Sequence, residues 1–500
     1  MIRALVGIGI LQVFSMLLLL TRTKILALAV GVDGIGTIAN VDALAAVVSQ
    51  TLSLSLPFAA LRFLPAALRE SPAETDLLYR RMRLLLLLLL LPATAICLLL
   101  AVVSPHVFGE ALLPYRRTVL LGLAGLPVVG LVAFLTNAYA GAVGHMASMR
   151  MTLAHSAVLA TAAGVAAAGG DVDGFYLTYA VVGTILVVVA ALRLSVPGLA
   201  KADRRPLRLA DAVRLPAVMW RFSAWLLPLT FLTPYAAWFV KYSTLEQYGV
   251  DAAGILQAAI GLSLSVRAVL GAAHAVFLTP NVNRQGDPRS RMAWADEFQR
   301  TTGLLFLLTL PPLLLFADVV MRILYASTFV AGASFAAIFV AAEVVAMLSA
   351  TYQSLIVAGD FMRFHVVQNL AAQALLVATA AVLLPRVGVA GAGVAVLSAP
   401  LLLLVTTLLF LHRQYGLRPS PRAFRTSALA LAVLVVAGVI GSRFPGLSVG
   451  LLAAKLGVCA LLWLTALLVV PPEDRRRARE LATLGLSRLA SRTASHDGVA

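Results

Sequence analysis

Basic side chains sit where a chain of this composition can least tolerate them. Arg22, Lys24, Arg221, Arg267 and Lys455 lie inside apolar stretches, and Lys241 stands at the edge of another. At the centre of a bilayer such a charge costs roughly 2.5–3.5 kcal/mol on insertion scales. These residues are therefore expected to face a water-filled cavity, a counter-charge or, near helix ends, the interface. A cluster of guanidinium and ammonium groups in a cavity captures anions. The lysines add a second clue. The chain has four Lys among 39 Lys and Arg, and three of the four are Lys24, Lys241 and Lys455. An ammonium is a compact point charge with rotatable donors, which suits an anion that must be held and then released. Arg22, Lys24, Lys241 and Arg267 are the candidate contacts.

Arg22 and Lys24 are two positions apart, so on one straight helix they point roughly 200° apart. Both face one cavity only if that helix bends or breaks near Thr21–Thr23. The acids in apolar stretches are Asp42, Asp318 and Glu343. Each can neutralise a buried base in a structural ion pair or carry a coupling proton. His274 is seven residues from Arg267 and shares its helix face; a lone His in such a place is either a hydrogen-bonded packing group or a further coupling residue. The chain has no Walker-type Gly-rich loop, no metal-ligand spacing and no nucleophile elbow. Cys97 and Cys459 both lie in apolar surroundings and read as packing residues. The expectation is a carrier without metal or cofactor, not an enzyme.

The elements that must position these charges are membrane spans. Of the 500 residues, 61% are hydrophobic and 12% charged, about half the charge that a soluble surface uses. Apolar blocks of about 20 residues, the length that crosses a bilayer, recur from end to end. They divide into about 14 transmembrane helices of an all-α polytopic membrane protein, including spans at 84–104, 118–141 and 252–280. Residues 58–83 read as a loop. The alternate loops on one side hold 28 Lys and Arg, and those on the other hold 6. By the positive-inside rule both termini are cytoplasmic, and the net charge of +17 is a topology signal with no nucleic acid implied. The outward loops are too short to carry the catalytic residues of a membrane glycosyltransferase or polymerase.

The halves of the chain echo one another. Gly31-Val32-Asp33-Gly34-Ile35-Gly36 follows the first span, and Gly249-Val250-Asp251-Ala252-Ala253-Gly254 follows the seventh. Both spans start on the same side, as parallel repeats about an axis along the membrane normal require. The organisation expected is a six-helix lobe at 1–192, a cytoplasmic linker at 193–217, a second six-helix lobe at 218–411, an additional helix pair at 427–471 and a basic tail at 472–500. Pro228 and Pro234 kink the seventh span.

Several stretches resemble bacterial oligosaccharide-lipid flippases, the polysaccharide-biosynthesis members of the multidrug/oligosaccharidyl-lipid/polysaccharide exporter superfamily. Arg221-Phe222-Ser223 through Lys241, with Tyr248 to Ala258 after it, is similar to the kinked helix of the enterobacterial common antigen flippase type, which ends in a base and precedes a Gly-Ile-Trp-Gln element; Leu256 stands here in place of the Trp. Val276-Phe277-Leu278-Thr279-Pro280 resembles a Tyr-Leu-Leu-Pro helix end, Leu324 to Phe329 a Leu-Leu-Ser-Asn-Lys-Phe stretch, and Glu343 falls where that type has Asp. Val387 to Ala392 resembles its Gly-Ala-Leu-Gly-Ala turn. The likeness covers residues 1 to about 411, and the last two spans exceed that type. It implies two six-helix lobes that alternate access in the bacterial inner membrane. The implied cargo is an undecaprenyl-diphosphate-linked oligosaccharide, flipped to the periplasmic leaflet for exopolysaccharide, capsule or O-antigen synthesis. A polysaccharide polymerase and a chain-length regulator are the implied partners. Arg22, Lys24, Lys241 and Arg267 would hold the diphosphate. A cation-coupled drug exporter and a peptidoglycan-precursor flippase of the same superfamily are the alternatives.

Overall fold

The computed structural model describes residues 2–194, 207–274, 278–446 and 448–469, and no strand occurs among them. The first half of the chain supplies α1 (Ile2–Ala29), α2 (Gly31–Leu52), α3 (Leu56–Glu70), α4 (Pro72–Val103), α5 (Arg116–Ala124), α6 (Leu126–Ala142), α7 (His145–Gly169) and α8 (Val172–Arg193). The second supplies α9 (Ala217–Ala273), α10 (Thr279–Arg284), α11 (Pro288–Leu315), α12 (Ala317–Leu324), α13 (Ala333–Ala358), α14 (Met362–Val387) and α15 (Val389–Tyr415). The last pair is α16 (Pro421–Arg443) and α17 (Val449–Val469).

Twelve described helices are long and apolar enough to cross a membrane, and the segment Glu110–Ala124 with α6, bent by 40°, makes a thirteenth. One of the twelve, α9, is interrupted at Gly249, whose φ of 82° and ψ of 175° are not helical. Its two halves bring the crossings to the fourteen expected from the apolar blocks. The chain is a multi-pass membrane protein, and large apolar side chains such as Val103, Ile185, Leu192 and Leu468 lie more than half exposed on its flanks. That surface is stable only against lipid or another protein.

Residues 58–83 correct the loop expected there. Leu56, Ala59, Ala60 and Leu64 recur at helical spacing and are buried, where α3 packs against α6. Pro72 and Ser71 then start α4, and the Ser71 side chain accepts from the Glu74 backbone N–H. The third span is thus part of a 32-residue helix. The expected linker at 193–217 is bounded by α8 and α9, but its residues 195–206 lie outside the described ones, as do the tail 472–500 and Val276 and Phe277 of the Val276–Pro280 element.

We call the end that carries the Arg-rich loops the basic end and the other the far end. The same packing order recurs in both halves. The first span rests on the fifth in each: α1 meets α7 through a Ser15–Ser156 hydroxyl contact of 2.7 Å, and the first half of α9 meets α14. There the Arg363 guanidinium lies 5.4 Å from the Trp225 ring and the Tyr248 hydroxyl donates to the Leu384 carbonyl at 2.6 Å. The fourth and sixth spans also pack together in each half, α6 on α8 and α13 on α15. At the far end the halves meet through the sequence repeat itself. Gly31 and Gly249 both hold positive φ, 67° and 82°, a conformation that costs glycine little.

The pair α16 and α17 leans on the second half. Gln299 of α11 donates to Ser427 at 3.0 Å, and the Trp463 indole N–H donates to the Leu307 carbonyl at 3.1 Å.

Candidate functional site

A cavity of ≈ 310 Å³ lies where α1, α2 and both parts of α9 converge, with the end of α12 above it. Its polar lining includes Gln12, Ser15, Arg22, Asp42, Lys241 and Gln257. The volume is at the small end of the roughly 300–1,000 Å³ usual for ligand pockets.

Two cations and one carboxylate set its character. Arg22 Nη2 is 3.4 Å from Asp42 Oδ2, a long contact for a charge-assisted pair. The Arg22 guanidinium stands 5.0 Å from the Phe175 ring centroid, within cation–π range. Its side chain is 18% exposed and that of Asp42 45%. Asp42 is steadied from behind by the Tyr176 hydroxyl, which donates to Oδ1 at 2.9 Å. Asp42 is also the charge that acts on Lys241. The balance of Arg22, Lys241 and Asp42 is positive. Arg22 Nε and Gln257 Oε1 are buried and have no hydrogen-bond partner among the described residues. Buried polar atoms of that kind call for a ligand or water.

Sequence reasoning places Lys24 in this cavity, and the structure corrects it. α1 runs unbroken through Thr21–Thr23, so Arg22 and Lys24 point to different sides. The Lys24 ammonium donates to the carbonyls of Arg322 at 3.0 Å and Tyr325 at 2.6 Å. These are end carbonyls of the eight-residue helix α12, which lack partners within their own helix and attract cations. Lys24 thus clasps the two halves together.

Arg267 is likewise not part of this cavity's lining. It sits further towards the basic end, where Nε is 3.6 Å from Glu343 Oε2 of α13, with side chains 59% and 11% exposed. Its long and wetted contact is weak, so the guanidinium is available to other anions near the cavity. His274 does share the Arg267 face. Its Nε2 is 3.2 Å from the Ala350 carbonyl of α13, and its ring meets Phe298 edge-on at 5.9 Å. It is a hydrogen-bonded packing group at the basic end.

Lys455 is buried away from the cavity, 2.8 Å from Asp318 Oδ1, and the two side chains are 1% and 2% exposed. Asp318 Oδ2 also accepts the Gly446 backbone N–H at 2.7 Å. This base fastens the last helix to α12.

Gln257 and Tyr325 escape sequence reasoning, since neutral polar groups raise no alarm in an apolar stretch. Spacing could have found the first. Gln257, Gly261 and Ser265 form one stripe at intervals of four on the second part of α9 and all line the cavity, while Leu256 faces the core, fully buried. Gly261 makes room for Tyr325, because a Cβ there would meet its hydroxyl at 2.2 Å. A second cavity of ≈ 590 Å³ opens at the basic end between α3, the first part of α9 and the α13–α14 turn, and Arg62, Phe222, Asp360 and His365 help to line it. Among the described residues no group of His, Cys, Asp and Glu is arranged to hold a metal ion.

The fold is similar to that of solved transporters. A structure of the lipid II flippase MurJ in an inward closed conformation aligns with a TM-score of 0.69 at 12% identity, covering 92% of this chain and 97% of that one. An inward-facing multidrug-resistance MATE transporter of the MOP superfamily aligns with a TM-score of 0.56 at 14% identity, covering 86% and 96%. The MATE multidrug transporter DinF-BH gives 0.54 at 14% identity, over 82% and 94%. No family model matches the chain, and no curated protein matches it by sequence.

Proposed function

We propose that this protein is a flippase that moves a lipid-linked oligosaccharide, held by its polyprenyl diphosphate, across the bacterial inner membrane by alternating access. The observation that carries the reading is the cationic cavity between the two halves, with the Arg22 guanidinium only loosely held by Asp42 and one of its nitrogens unpartnered. A diphosphate is a dense anion that can displace Asp42, while Tyr176 keeps that carboxylate in place for the return. Arg22 and Lys241 are the primary contacts. Arg267 is a contact on the approach from the basic end, which the positive-inside rule reads as cytoplasmic. Delivery to surface polysaccharide, through a polymerase and a chain-length regulator, follows from the likeness to oligosaccharide-lipid flippases. A peptidoglycan-precursor flippase uses the same diphosphate handle and is distinguished by the need for the gene in growth.

A second reading, a cation-coupled exporter, has one observation in its favour: Asp42 is 45% exposed inside the cavity and can bind a cation. The neighbouring Arg22 and Lys241 oppose it.

Thermal shift measurements in detergent separate the readings. A polyprenyl diphosphate is expected to raise the melting temperature in a saturable way, since a ligand at a hundred times its Kd adds about 2.7 kcal/mol. The neutral polyprenyl alcohol is expected to do much less. Equal shifts from both lipids, or a larger shift from a cationic dye, would overturn the assignment.

A further inference from the structure

The far end of the carrier is closed by two copies of the same short sequence. α2 and the second part of α9 cross so tightly that a Cβ on Gly36 would lie 2.3 Å from the Val250 carbonyl oxygen, and one on Gly254 would lie 2.2 Å from that of Val32. These contacts are reciprocal. Gly36 corresponds to Gly254 in the repeat, and Val32 to Val250. A contact about a twofold axis brings each residue near the axis against its own copy. Asp33 and Asp251 are such copies, and the crossing brings the Asp33 side chain close enough to raise the proton affinity of Asp251. A hydrogen bond between the two carboxyls requires a proton, because two carboxylates offer acceptors only. Both acids are exposed in the first turn after the positive-φ glycines, where they meet water from the far side.

The charges around the pair leave it uncompensated. The charge acting on Asp251 is Asp33. Tyr115, from the Glu110–Tyr115 segment, is under the influence of both acids. Three cations at this end are engaged elsewhere: Arg117 of α5 with Asp173 of α8 at 2.9 Å, Arg116 on the Ala101 and Val102 carbonyls, and Lys24 of α1 on the end of α12. Glu246 of α9 faces Tyr242, which also reaches the Glu110 backbone. Arg322 of α12 is exposed, and its carbonyl serves Lys24.

We propose that Asp33 and Asp251 form a proton-operated lock, which holds the far end shut while one proton is shared between them and releases it when both are ionised. Separating α2 from α9 to open that end also separates the carboxyls. Once a lone carboxylate is ionised, and for as long as the closed pair keeps its proton, the open state therefore binds one proton fewer than the closed state. The lock makes the outward opening of the proposed flippase responsive to the pH of the compartment it faces, and places proton sensitivity at the seal, outside the cargo cavity. It rests on the flippase reading only for its purpose, since the conformational balance exists without cargo.

The test is a distance measurement on the whole chain in lipid. Spin labels are placed on cysteines introduced at Val30 and Tyr248, with Cys97 and Cys459 replaced by Ser. In the wild-type background the closed population is expected to fall as pH rises above the ordinary carboxylate range, by up to tenfold per pH unit until the closed pair is itself fully ionised. The Asp33→Asn/Asp251→Asn protein, whose amides can hydrogen-bond at any pH, is expected to keep the short distance throughout. Asp251→Lys, which supplies an ion pair to Asp33, is expected to do the same near neutrality. A wild-type distance that does not change with pH, or a double-Asn protein that titrates like the wild type, would overturn the lock. Neither outcome bears on diphosphate binding, which the thermal shift reads separately.

Discussion

Replacing Arg22 by Ala is expected to weaken binding of a polyprenyl diphosphate by about 10- to 150-fold, since a hydrogen bond to a charged group is worth about 1.5–3 kcal/mol and each 1.4 kcal/mol is tenfold. Two effects act in the same direction. The substitution removes a donor whose Nε has no other partner, and it leaves Asp42 in the cavity without its guanidinium. Arg22→Lys keeps the charge but loses the planar fork stacked near Phe175, so a partial loss is expected. Lys24→Ala provides the contrast. Its ammonium is spent on the carbonyls of Arg322 and Tyr325, so binding is expected to change little while the closed far end becomes easier to open. Competition binding with a labelled polyprenyl diphosphate reads both. Equal losses in Arg22→Ala and Lys24→Ala would return Lys24 to the cargo site.

Lys455→Ala is expected to release α17. Removing one member of a buried pair costs about 3–5 kcal/mol because the other charge is left uncompensated, and Asp318 is only 2% exposed. The Gly446 N–H and the Leu307–Trp463 bond remain, so the rest of the bundle is expected to persist. Proteolysis within residues 444–448 should accelerate sharply, with little change elsewhere. Lys455→Met combined with Asp318→Leu should recover most of the protection, since a matched apolar pair is often as stable as the ion pair it replaces. Unchanged cleavage in the single variant would show that the pair contributes no net stability.

The spans were legible because the code for crossing a bilayer is simple: a long apolar block leaves a chain no other stable place. α3 was not legible by that code. Its apolar residues form only a stripe, and Arg62 and Arg69 made the segment look like a loop. The repeat at Gly31–Gly36 and Gly249–Gly254 was visible as letters, but its meaning as a seal needed the helices to cross. Charge in apolar surroundings drew attention to Arg22 and Lys241, which line the cavity. It could not separate them from Lys24 and Lys455, because hydropathy carries no helix rotation and no information on partners. Lys455 finds Asp318 across 137 positions, and Lys24 finds the end of α12 across about 300. Gln257 carried no charge penalty and so gave no signal except its spacing.

The central claim is that the cavity holds the cargo by its diphosphate while the carrier turns the lipid across the bilayer. Purified protein in vesicles loaded with a fluorescent polyprenyl-diphosphate oligosaccharide tests it most directly, with a membrane-impermeant quencher reporting which leaflet holds the label. The account predicts that wild-type protein renders nearly all of the label accessible, that Arg22→Ala slows the exchange at least tenfold, and that Asp42→Asn does not confer transport of a cationic dye. Exchange no faster than in protein-free vesicles, together with movement of the dye by the wild type, would contradict it.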